Sequence, residues 1–228
     1  MTIRYYPEIE QGSDEWYAVR CGIPTASEMK RIITSKTLKY ADNPDSGAYL
    51  NELLAQRITQ YIEPSYISDD MLRGKEDEIA ARLAYSKRFA PVEEMGFVTN
   101  DKWGFVIGCS PDGLVGEDGG VEFKSRCQKH QIATILALAM PEEYLLQVQT
   151  CMLVTERPWW DFGTYCAGLP MYKIRVHADP HIHNVIVAAA TAFEITLQER
   201  LALYNEILES HQHSLIPTTR VIEQEMYI

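Results

Sequence analysis

The sequence predicts a mixed α/β fold in which a central mixed sheet is flanked by helices. Two apolar stripes of helical period precede a stretch of hairpins, and two helices, two further strands and a long helix follow it. Such an interleaved order of elements is typical of a layered α/β core. At 228 residues the chain is long enough to bury a core, and no repeat or linker divides it. We therefore expect a single domain that spans residues 1–228.

A short helix is expected at residues 12–20. Ser13 or Asp14 is suited to cap it, because either side chain can accept a hydrogen bond from the free N–H groups of the first turn. Trp16 and Arg20 are four residues apart and therefore share a face of this helix. Taken by themselves, these residue types favour a packed tryptophan beside a surface arginine.

The stretch Thr25-Ala26-Ser27-Glu28 has a capping-box pattern, which predicts a helix that runs to about Thr34. The first turn of a helix offers free N–H groups and a partial positive charge, and both favour the binding of phosphate. Ser27 lies in that turn. An anion pocket formed by Ser27 and Arg20 is therefore physically reasonable.

Two longer helices are expected next, after a polar loop at residues 36–47. Ser46 is a candidate cap for the first helix, at residues 48–62, and the second covers residues 71–89. Each carries an apolar stripe of helical period that should face the core. The predicted core residues are Leu50, Leu53, Leu54, Ile58 and Tyr61 in the first helix, and Ile79, Ala80, Leu83 and Tyr85 in the second.

Glu78 borders the apolar stripe of the second helix, and Arg82 follows four residues later. Acidic and basic side chains at this spacing commonly form an ion pair on the helix surface. The pattern alone favours this structural role for Glu78.

The middle of the chain predicts antiparallel strands at residues 92–99 and 103–109, which residues 121–126 extend to a three-stranded sheet. Between them, Ser110-Pro111-Asp112-Gly113 predicts a turn, because proline fixes one φ angle and glycine permits the opposite sign. A hairpin then joins residues 114–115 to residues 121–124. Alternation along the returning strand places Glu122 and Lys124 on one face.

This geometry brings Asp112 and Glu122 together at one end of a bent hairpin, with Lys124 beside them. Two close carboxylates repel each other unless a cation compensates their charge. Carboxylate and carbonyl oxygens suit Mg²⁺ or Mn²⁺, and a neighbouring lysine can orient water or offset charge on phosphorus. The spacing is therefore compatible with metal-dependent hydrolysis. It is equally compatible with a charged hairpin whose glutamate and lysine face solvent.

The carboxyl-terminal half predicts helices at residues 128–139 and 141–155, strands at 158–167 and 171–177, and a long helix at 180–211. The helix at 141–155 is apolar nearly all round and should be buried. Gln147 and Gln149 within it need partners, either on the backbone or, for Gln147, in the site. Trp159 and Trp160 should point to opposite faces of their strand and pack in the core or an interface.

Composition limits the classes of partner. The net charge of −11 excludes a surface that coats nucleic acid uniformly, so any contact with DNA must be local.

The five cysteines form no C-x₂-C pair, which argues against zinc or iron–sulfur sites and a disulfide framework. His181 and His183 lack a third ligand nearby. Without a signal-like segment or a long apolar run, we expect a cytoplasmic protein with no membrane partner.

Several blocks of sequence recur in the order typical of one family. They are Gln11–Trp16 through Arg20, Gly22–Glu28, Gly74–Glu78, Ser110–Leu114, Glu122-Phe123-Lys124 and Gln147-Val148-Gln149. Together they resemble the phage lambda exonuclease family, the YqaJ-type viral recombinases within the PD-(D/E)xK nuclease superfamily. The resemblance covers most of the chain, from about Gln11 to Thr155.

This resemblance implies a restriction-endonuclease-like core and a 5′→3′ exonuclease that degrades one strand of linear double-stranded DNA. It further implies two Mg²⁺ ions per active site, with Mn²⁺ as a substitute, a ring-shaped homotrimer, and a single-strand annealing recombinase as the partner in phage recombination. The implied roles are catalysis by Asp112, Glu122 and Lys124, metal binding by Glu78, Asp112, Glu122 and the Phe123 carbonyl, and binding of the DNA 5′-phosphate by Arg20, Ser27, Ser110 and Gln147.

Two stretches depart from the family pattern. The segment between Lys124 and the helix of Gln147 has its own sequence, and residues 36–47 offer no clear match for side chains that split a duplex end. Two alternatives therefore stay open. One is a PD-(D/E)xK endonuclease of restriction or repair type, which would cut circular DNA. The other is an acidic interaction protein that keeps the fold without activity.

Overall fold

The computed structural model describes residues 2–64 and 68–220, which form two main sheets packed against helices. The strands are β1 (Ile3–Tyr6), β2 (Ile33–Thr34), β3 (Lys39–Tyr40), β4 (Phe97–Asn100), β5 (Ile107–Cys109), β6 (Gly113–Val115), β7 (Gly119–Ser125), β8 (Trp159–Tyr165) and β9 (Tyr172–His177). The helices are α1 (Asp14–Arg20), α2 (Met29–Ile32), α3 (Pro44–Thr59), α4 (Asp69–Arg88), α5 (Gln128–Ala137), α6 (Leu145–Thr155) and α7 (Pro180–Ser210).

The larger sheet has four strands in the order β6-β7-β8-β9. Strands β7 and β8 are parallel, and the other two pairings are antiparallel. Helices α5 and α6 form the crossover that the parallel pair requires. This arrangement confirms the predicted mixed α/β core.

The predicted sheet of residues 92–99, 103–109 and 121–126 is wrong in one respect. Strands β4 and β5 do pair antiparallel, with Val98 opposite Cys109, but their other neighbour is β1. Strand β7 belongs to the larger sheet instead. The chain changes sheet at the turn after Cys109, so this turn lies at the junction between the two sheets.

Helix α6 lies at the centre of the main core. Its side chains Leu146, Val148, Cys151, Met152 and Val154 are all buried, as its apolar composition predicts. They pack with Trp160 and Phe162 of β8 and with the first half of α7. Burial of this helix fixes the position of every side chain that it projects toward β7.

Two glycines make room for the paired tryptophans of β8. A Cβ atom on Gly120 would lie 2.3 Å from the ring of Trp160, and one on Gly119 would lie 2.0 Å from the ring of Trp159. Trp160 is fully buried, whereas Trp159 stacks under the guanidinium of Arg175 at 3.6 Å. The two rings therefore point to opposite faces, as predicted.

Helix α4 is rotated relative to the sequence prediction. Ile79 and Leu83 are 58% and 68% exposed, so their predicted burial is wrong, whereas Tyr85 is buried. The Tyr85 hydroxyl donates to Asp161 Oδ2 at 2.6 Å, and Asp161 also binds Arg175. This buried polar contact sets the inward face of α4, which carries Tyr85 and the residues three, four and seven positions before it.

The segment after Thr25 also differs from its prediction. Thr25 makes no side-chain cap, and a short 3₁₀ turn (Ala26–Glu28) leads into the single turn of α2. The predicted helix to Thr34 is therefore wrong. The β-branched residues Ile33 and Thr34 form β2 instead, paired with β3 inside the predicted polar loop.

The caps of the remaining helices are a mixture of confirmed and corrected predictions. Ser13 caps α1 by accepting from the Trp16 N–H at 3.2 Å. Helix α3 starts earlier than predicted because Asn43, not Ser46, is its cap, and Pro44 occupies the first turn. Leu50 and Leu53 of α3 are buried, whereas Ile58 is 39% exposed.

Within residues 2–64 and 68–220, no helix has the length and apolar character needed to cross a membrane.

Candidate active site

The turn between β5 and β6 is held from two sides. Gln11 Nε2 donates to the carbonyl oxygens of Pro111 and Met95, at 3.1 and 3.3 Å. Asp112 Oδ2 accepts from the backbone N–H of Phe123 at 2.5 Å. Asp112 is buried, with 8% of its surface exposed. The turn therefore places its carboxylate directly against the middle of β7.

Glu122 on β7 is more deeply buried than Asp112, at 1% exposure. Its Oε1 atom accepts from Gln147 Nε2 at 2.6 Å and pairs with Lys124 Nζ at 2.5 Å. Its Oε2 atom is buried and has no hydrogen-bond partner within residues 2–64 and 68–220. The predicted convergence of Asp112, Glu122 and Lys124 is thus present, and Gln147 points into the same site.

The site is electrostatically strained. Burial raises the pKa of Asp112 well above its usual value, and the neighbouring carboxylates of Glu122 and Glu78 raise it further. Burial opposes the charge of Lys124, yet Glu122 and Asp112 outweigh this effect, so the pKa of Lys124 is raised. The lysine therefore stays an ammonium ion, while the carboxylates lack enough positive charge for full compensation.

Glu78 lies on the inward face of α4, seven residues before Tyr85. It forms the predicted ion pair with Arg82 at 2.6 Å, and Arg82 also pairs with Glu94 at 2.5 Å. Burial raises the pKa of Glu78 despite this pair, and the charge of Glu122 adds to the effect. Glu78 and Asp112 line one cavity of about 490 Å³. Glu78 is thus both an ion-pair partner and a neighbour of the buried carboxylates.

A second cavity, of about 210 Å³, lies on the other side of Asp112. Its lining includes seven of the residues proposed from the sequence, which are Arg20, Ser27, Ser110, Asp112, Glu122, Lys124 and Gln147. We call it the end cavity. The predicted catalytic and phosphate-binding residues thus line one cavity, although they come from five separate stretches of the chain.

Arg20 supplies the positive charge at the outer side of the end cavity. Its Nη2 atom contacts Thr25 Oγ1 at 3.5 Å, and among the described residues no carboxylate lies within ion-pair distance of it. Burial lowers the pKa of Arg20, and the charges of Glu28 and Glu52 offset this effect only in part. A half-buried guanidinium of this kind is suited to bind an anion.

Trp16 has a role that the sequence prediction missed. Its Nε1–H donates to Ser110 Oγ at 2.8 Å, and the guanidinium of Arg20 lies 4.1 Å from the centre of its ring. One tryptophan thereby positions two residues of the end cavity. The spacing of Trp16 and Arg20 indicated a shared helix face, but the contact with Ser110 joins residues 94 positions apart and leaves no local pattern.

Comparison with known proteins assigns the chain to a family. The family model of the YqaJ-like viral recombinase domain matches residues 15–158. The chain belongs to this family. No curated protein matches the chain.

Solved structures of other proteins agree with this assignment. LHK-Exo, an alkaline exonuclease from Laribacter hongkongensis, matches with 29% identity and a TM-score of 0.77, over 89% of this chain and 100% of its own. Its complex with dAMP matches over the same shares, with 30% identity and a TM-score of 0.77. A phage related exonuclease from Haemophilus somnus 129PT shares the fold at 14% identity and a TM-score of 0.56, over 81% and 99% of the two chains.

These similarities confirm the predicted lambda-exonuclease-like family and the PD-(D/E)xK fold. They also identify this family member as a nuclease. The order of sequence blocks from Gln11 to Thr155 therefore predicted the family correctly.

The fold family implies a divalent cation, and the donor atoms of the site fit one. Asp112 and Glu122 offer hard carboxylate oxygens, and Glu122 Oε2 is buried with its lone pairs unused. Across residues 2–64 and 68–220, no three His, Cys, Asp or Glu side chains are grouped closely enough to enclose an ion. The two carboxylates therefore suit an ion that takes its other ligands from backbone, water and substrate, as Mg²⁺ does.

Replacing Asp112 by asparagine is expected to stabilise the protein in the presence of a chelator. Because burial, Glu122 and Glu78 raise the pKa of Asp112, its ionised form opposes folding at neutral pH. Denaturant titration in EDTA at pH 7 should show a gain of about 0.5–2 kcal/mol in the free energy of unfolding. The gain should grow as the pH rises above about 4, the value at which an unfolded aspartate ionises.

The matched control is the exposed Asp42→Asn, which should leave the free energy of unfolding nearly unchanged. A loss of stability in Asp112→Asn under chelator would show that the carboxylate is a stabilising group, contrary to this interpretation.

Proposed function

We propose that this nuclease is a Mg²⁺-dependent 5′→3′ exonuclease that degrades one strand of linear double-stranded DNA. The product would be a 3′ single-stranded overhang for phage-type recombination by strand annealing. The end cavity is the observation that supports this proposal, because it places beside buried carboxylates and a lysine a guanidinium that has no ion pair among the described residues. That combination suits an anionic terminus next to a hydrolytic centre.

We propose that Asp112, Glu122 and the Phe123 carbonyl hold Mg²⁺, and that Glu78 serves a second ion. When bound, the ions would supply Lewis-acid activation of water and charge compensation for the scissile phosphate. Mn²⁺ would substitute, since it accepts the same oxygen ligands. Gln147 orients Glu122 through the hydrogen bond to Oε1 and leaves Oε2 free.

Lys124 is assigned the catalytic role next to these carboxylates. Its ammonium lies at the wall of the end cavity, 2.5 Å from Glu122 Oε1. A fixed positive charge there can orient the attacking water by hydrogen bonding and stabilise the negative charge that develops on the phosphate oxygens. The ammonium cannot accept a proton itself while it stays charged, so its contribution is positioning and electrostatic stabilisation.

The terminal 5′-phosphate is assigned to Arg20, Ser27, Ser110 and Gln147. The guanidinium offers charge-assisted hydrogen bonds, and Trp16 holds both Arg20 and Ser110 in place. The next phosphodiester along the strand would then lie at Asp112 and Glu122. LHK-Exo, which shares 30% identity with this chain, forms a complex with dAMP, so a nucleoside 5′-monophosphate is a ligand of a similar protein.

The global charge fits entry at a DNA end. A net charge of −11 repels the side of a duplex as a whole, whereas Arg20 and Lys124 provide a local positive charge in the end cavity. From the family resemblance we also propose a ring-shaped homotrimer around the DNA, an annealing recombinase as partner, and action in the cytoplasm of a bacterial host. A ring that encloses its substrate would make degradation processive.

Substitution of the lysine tests the hydrolytic centre. Linear 5′-phosphorylated duplex should be degraded in Mg²⁺ but not in EDTA, and circular plasmid should stay intact. Lys124→Ala should lower kcat by about 100- to 1,000-fold, the usual effect of removing one group that stabilises transition-state charge. Release of acid-soluble nucleotides measures the rate.

The matched control is Lys87→Ala, which should keep wild-type activity. It replaces an exposed lysine near the carboxyl-terminal end of α4. Cutting of the plasmid would replace the exonuclease by the endonuclease of the same fold. Absence of Mg²⁺-dependent cleavage on every substrate would support the inactive interaction protein instead.

Substitution of the arginine tests the phosphate assignment. The wild type should degrade 5′-phosphorylated duplex faster than the 5′-hydroxyl form, and in Arg20→Ala the ratio of the two rates should fall to near one. The loss expected on the phosphorylated substrate is about 10- to 100-fold, because a hydrogen bond to a charged group contributes about 1.5–3 kcal/mol.

Arg31→Ala provides the comparison, since Arg31 is already paired with Asp45 and Glu52. It should leave the preference for 5′-phosphate unchanged. If Arg20→Ala slowed both substrates equally, Arg20 would contact some other part of the DNA.

A further inference from the structure

We propose that Tyr144 is a positioning residue that holds the ammonium group of Lys124 at the hydrolytic centre. This inference rests on the proposed function, because it concerns the side chain to which that function assigns a catalytic role. Tyr144 lies just before α6, at the end of a 3₁₀ turn (Glu142–Tyr144). Neither its position nor its residue type singled it out in the sequence.

The ring of Tyr144 lies near two cations, Lys124 of β7 and Arg126, the residue that directly follows this strand. The extended chain continues to Arg126, whose N–H donates to the Tyr165 carbonyl, so Glu122, Lys124 and Arg126 alternate and share one face. Lys124 Nζ lies 5.4 Å from the centre of the Tyr144 ring, and the guanidinium carbon of Arg126 lies 5.6 Å from it. Both distances are within the range at which the face of an aromatic ring attracts a cation.

The ring itself is held from several directions. Arg126 Nη1 donates to the Tyr144 hydroxyl at 2.7 Å and also pairs with Glu143 at 3.1 Å. Phe162, which is fully buried, packs against the ring with a centroid distance of 5.2 Å. Tyr144 is thus a fixed contact for Lys124, since both its polar end and its apolar side are anchored.

A single short segment contacts both members of the Lys124–Glu122 pair. Tyr144 touches the lysine, and Gln147, three residues later, donates to Glu122 Oε1 at 2.6 Å. Glu122 is therefore shared between two donors, and its charge is also needed in the proposed metal site. The ring of Tyr144 gives the ammonium a second contact that is uncharged and does not depend on Glu122.

Loss of the ring should affect turnover more than binding. A lysine side chain has four rotatable bonds, so an ammonium that loses one of its two contacts samples more orientations. The contact of Lys124 with the ring involves no residue assigned to the 5′-phosphate. We therefore expect kcat to fall by about 5- to 30-fold when the ring is removed, with KM within about twofold of the wild type.

The test is a double-mutant cycle on Tyr144 and Lys124. Steady-state kcat and KM on linear 5′-phosphorylated duplex are measured for the wild type and the Tyr144 variants. For the members of the cycle that carry Lys124→Ala, single-turnover rates with enzyme in excess are compared with those of the wild type and Tyr144→Leu, so that slow variants remain measurable. Tyr144→Phe keeps the ring and should be close to the wild type. Tyr144→Leu keeps apolar bulk without the ring and should show the fall in kcat. In the Lys124→Ala background, Tyr144→Leu should cause no further loss.

Three outcomes would overturn the inference. The first is an equal loss from Tyr144→Leu in both backgrounds, because the ring would then act independently of Lys124. The second is wild-type activity in Tyr144→Leu. The third is a loss in Tyr144→Phe as large as that in Tyr144→Leu, because the hydroxyl would then be the important group.

Folding and function are separated by two controls. Tyr172→Leu replaces another half-buried tyrosine, on β9, and should retain wild-type kcat. Unfolding midpoints of all variants should lie above the assay temperature, and the cycle is evaluated only among folded proteins. If the wild type itself fails to cleave DNA in Mg²⁺, the proposed function is overturned and this inference with it. If the wild type is active and the cycle shows no coupling, only the role of Tyr144 is overturned.

Discussion

The burial of Asp112 and Glu122 beside each other is the constraint on which the rest of the site depends. Ionised carboxylates in an apolar interior are unfavourable unless hydrogen bonds or cations compensate them. Here the Phe123 N–H, Gln147 and Lys124 each supply part of that compensation, whereas Glu122 Oε2 accepts no hydrogen bond from the part of the chain that the structure describes. This arrangement of buried charges lowers the free energy of unfolding, and such a cost is typical of functional sites.

The two sheets and two helices make this arrangement possible. The chain passes from one sheet to the other at the turn that carries Asp112, so the turn is fixed by Gln11 on one side and by β7 on the other. The buried helix α6 delivers Gln147, and α4 delivers Glu78 because the contact between Tyr85 and Asp161 sets its rotation. Elements far apart in sequence therefore converge on the two cavities that Asp112 lines.

The sequence predicted those features that depend on local pattern. Alternation placed Glu122 and Lys124 on one face, and the apolar composition of α6 predicted both its burial and the need of Gln147 for a partner. The sequence prediction failed where contacts between distant parts of the chain determine the structure. The rotation of α4 depends on a hydrogen bond to a strand that follows much later in the chain, so Ile79 was wrongly placed in the core. The role of Trp16 likewise depends on a contact that no short pattern encodes.

The buried carboxylates are proposed to form a cation site, surrounded by the lysine and by the residues assigned to the 5′-phosphate. The most direct test is a crystal structure of the protein with Mn²⁺, in which anomalous scattering locates the ion. We expect an anomalous peak in contact with the carboxylate oxygens of Asp112 and Glu122, including the Oε2 atom that lacks a partner. A site without a peak under saturating Mn²⁺, or a peak only at other residues, would show that Asp112 and Glu122 do not form a cation site.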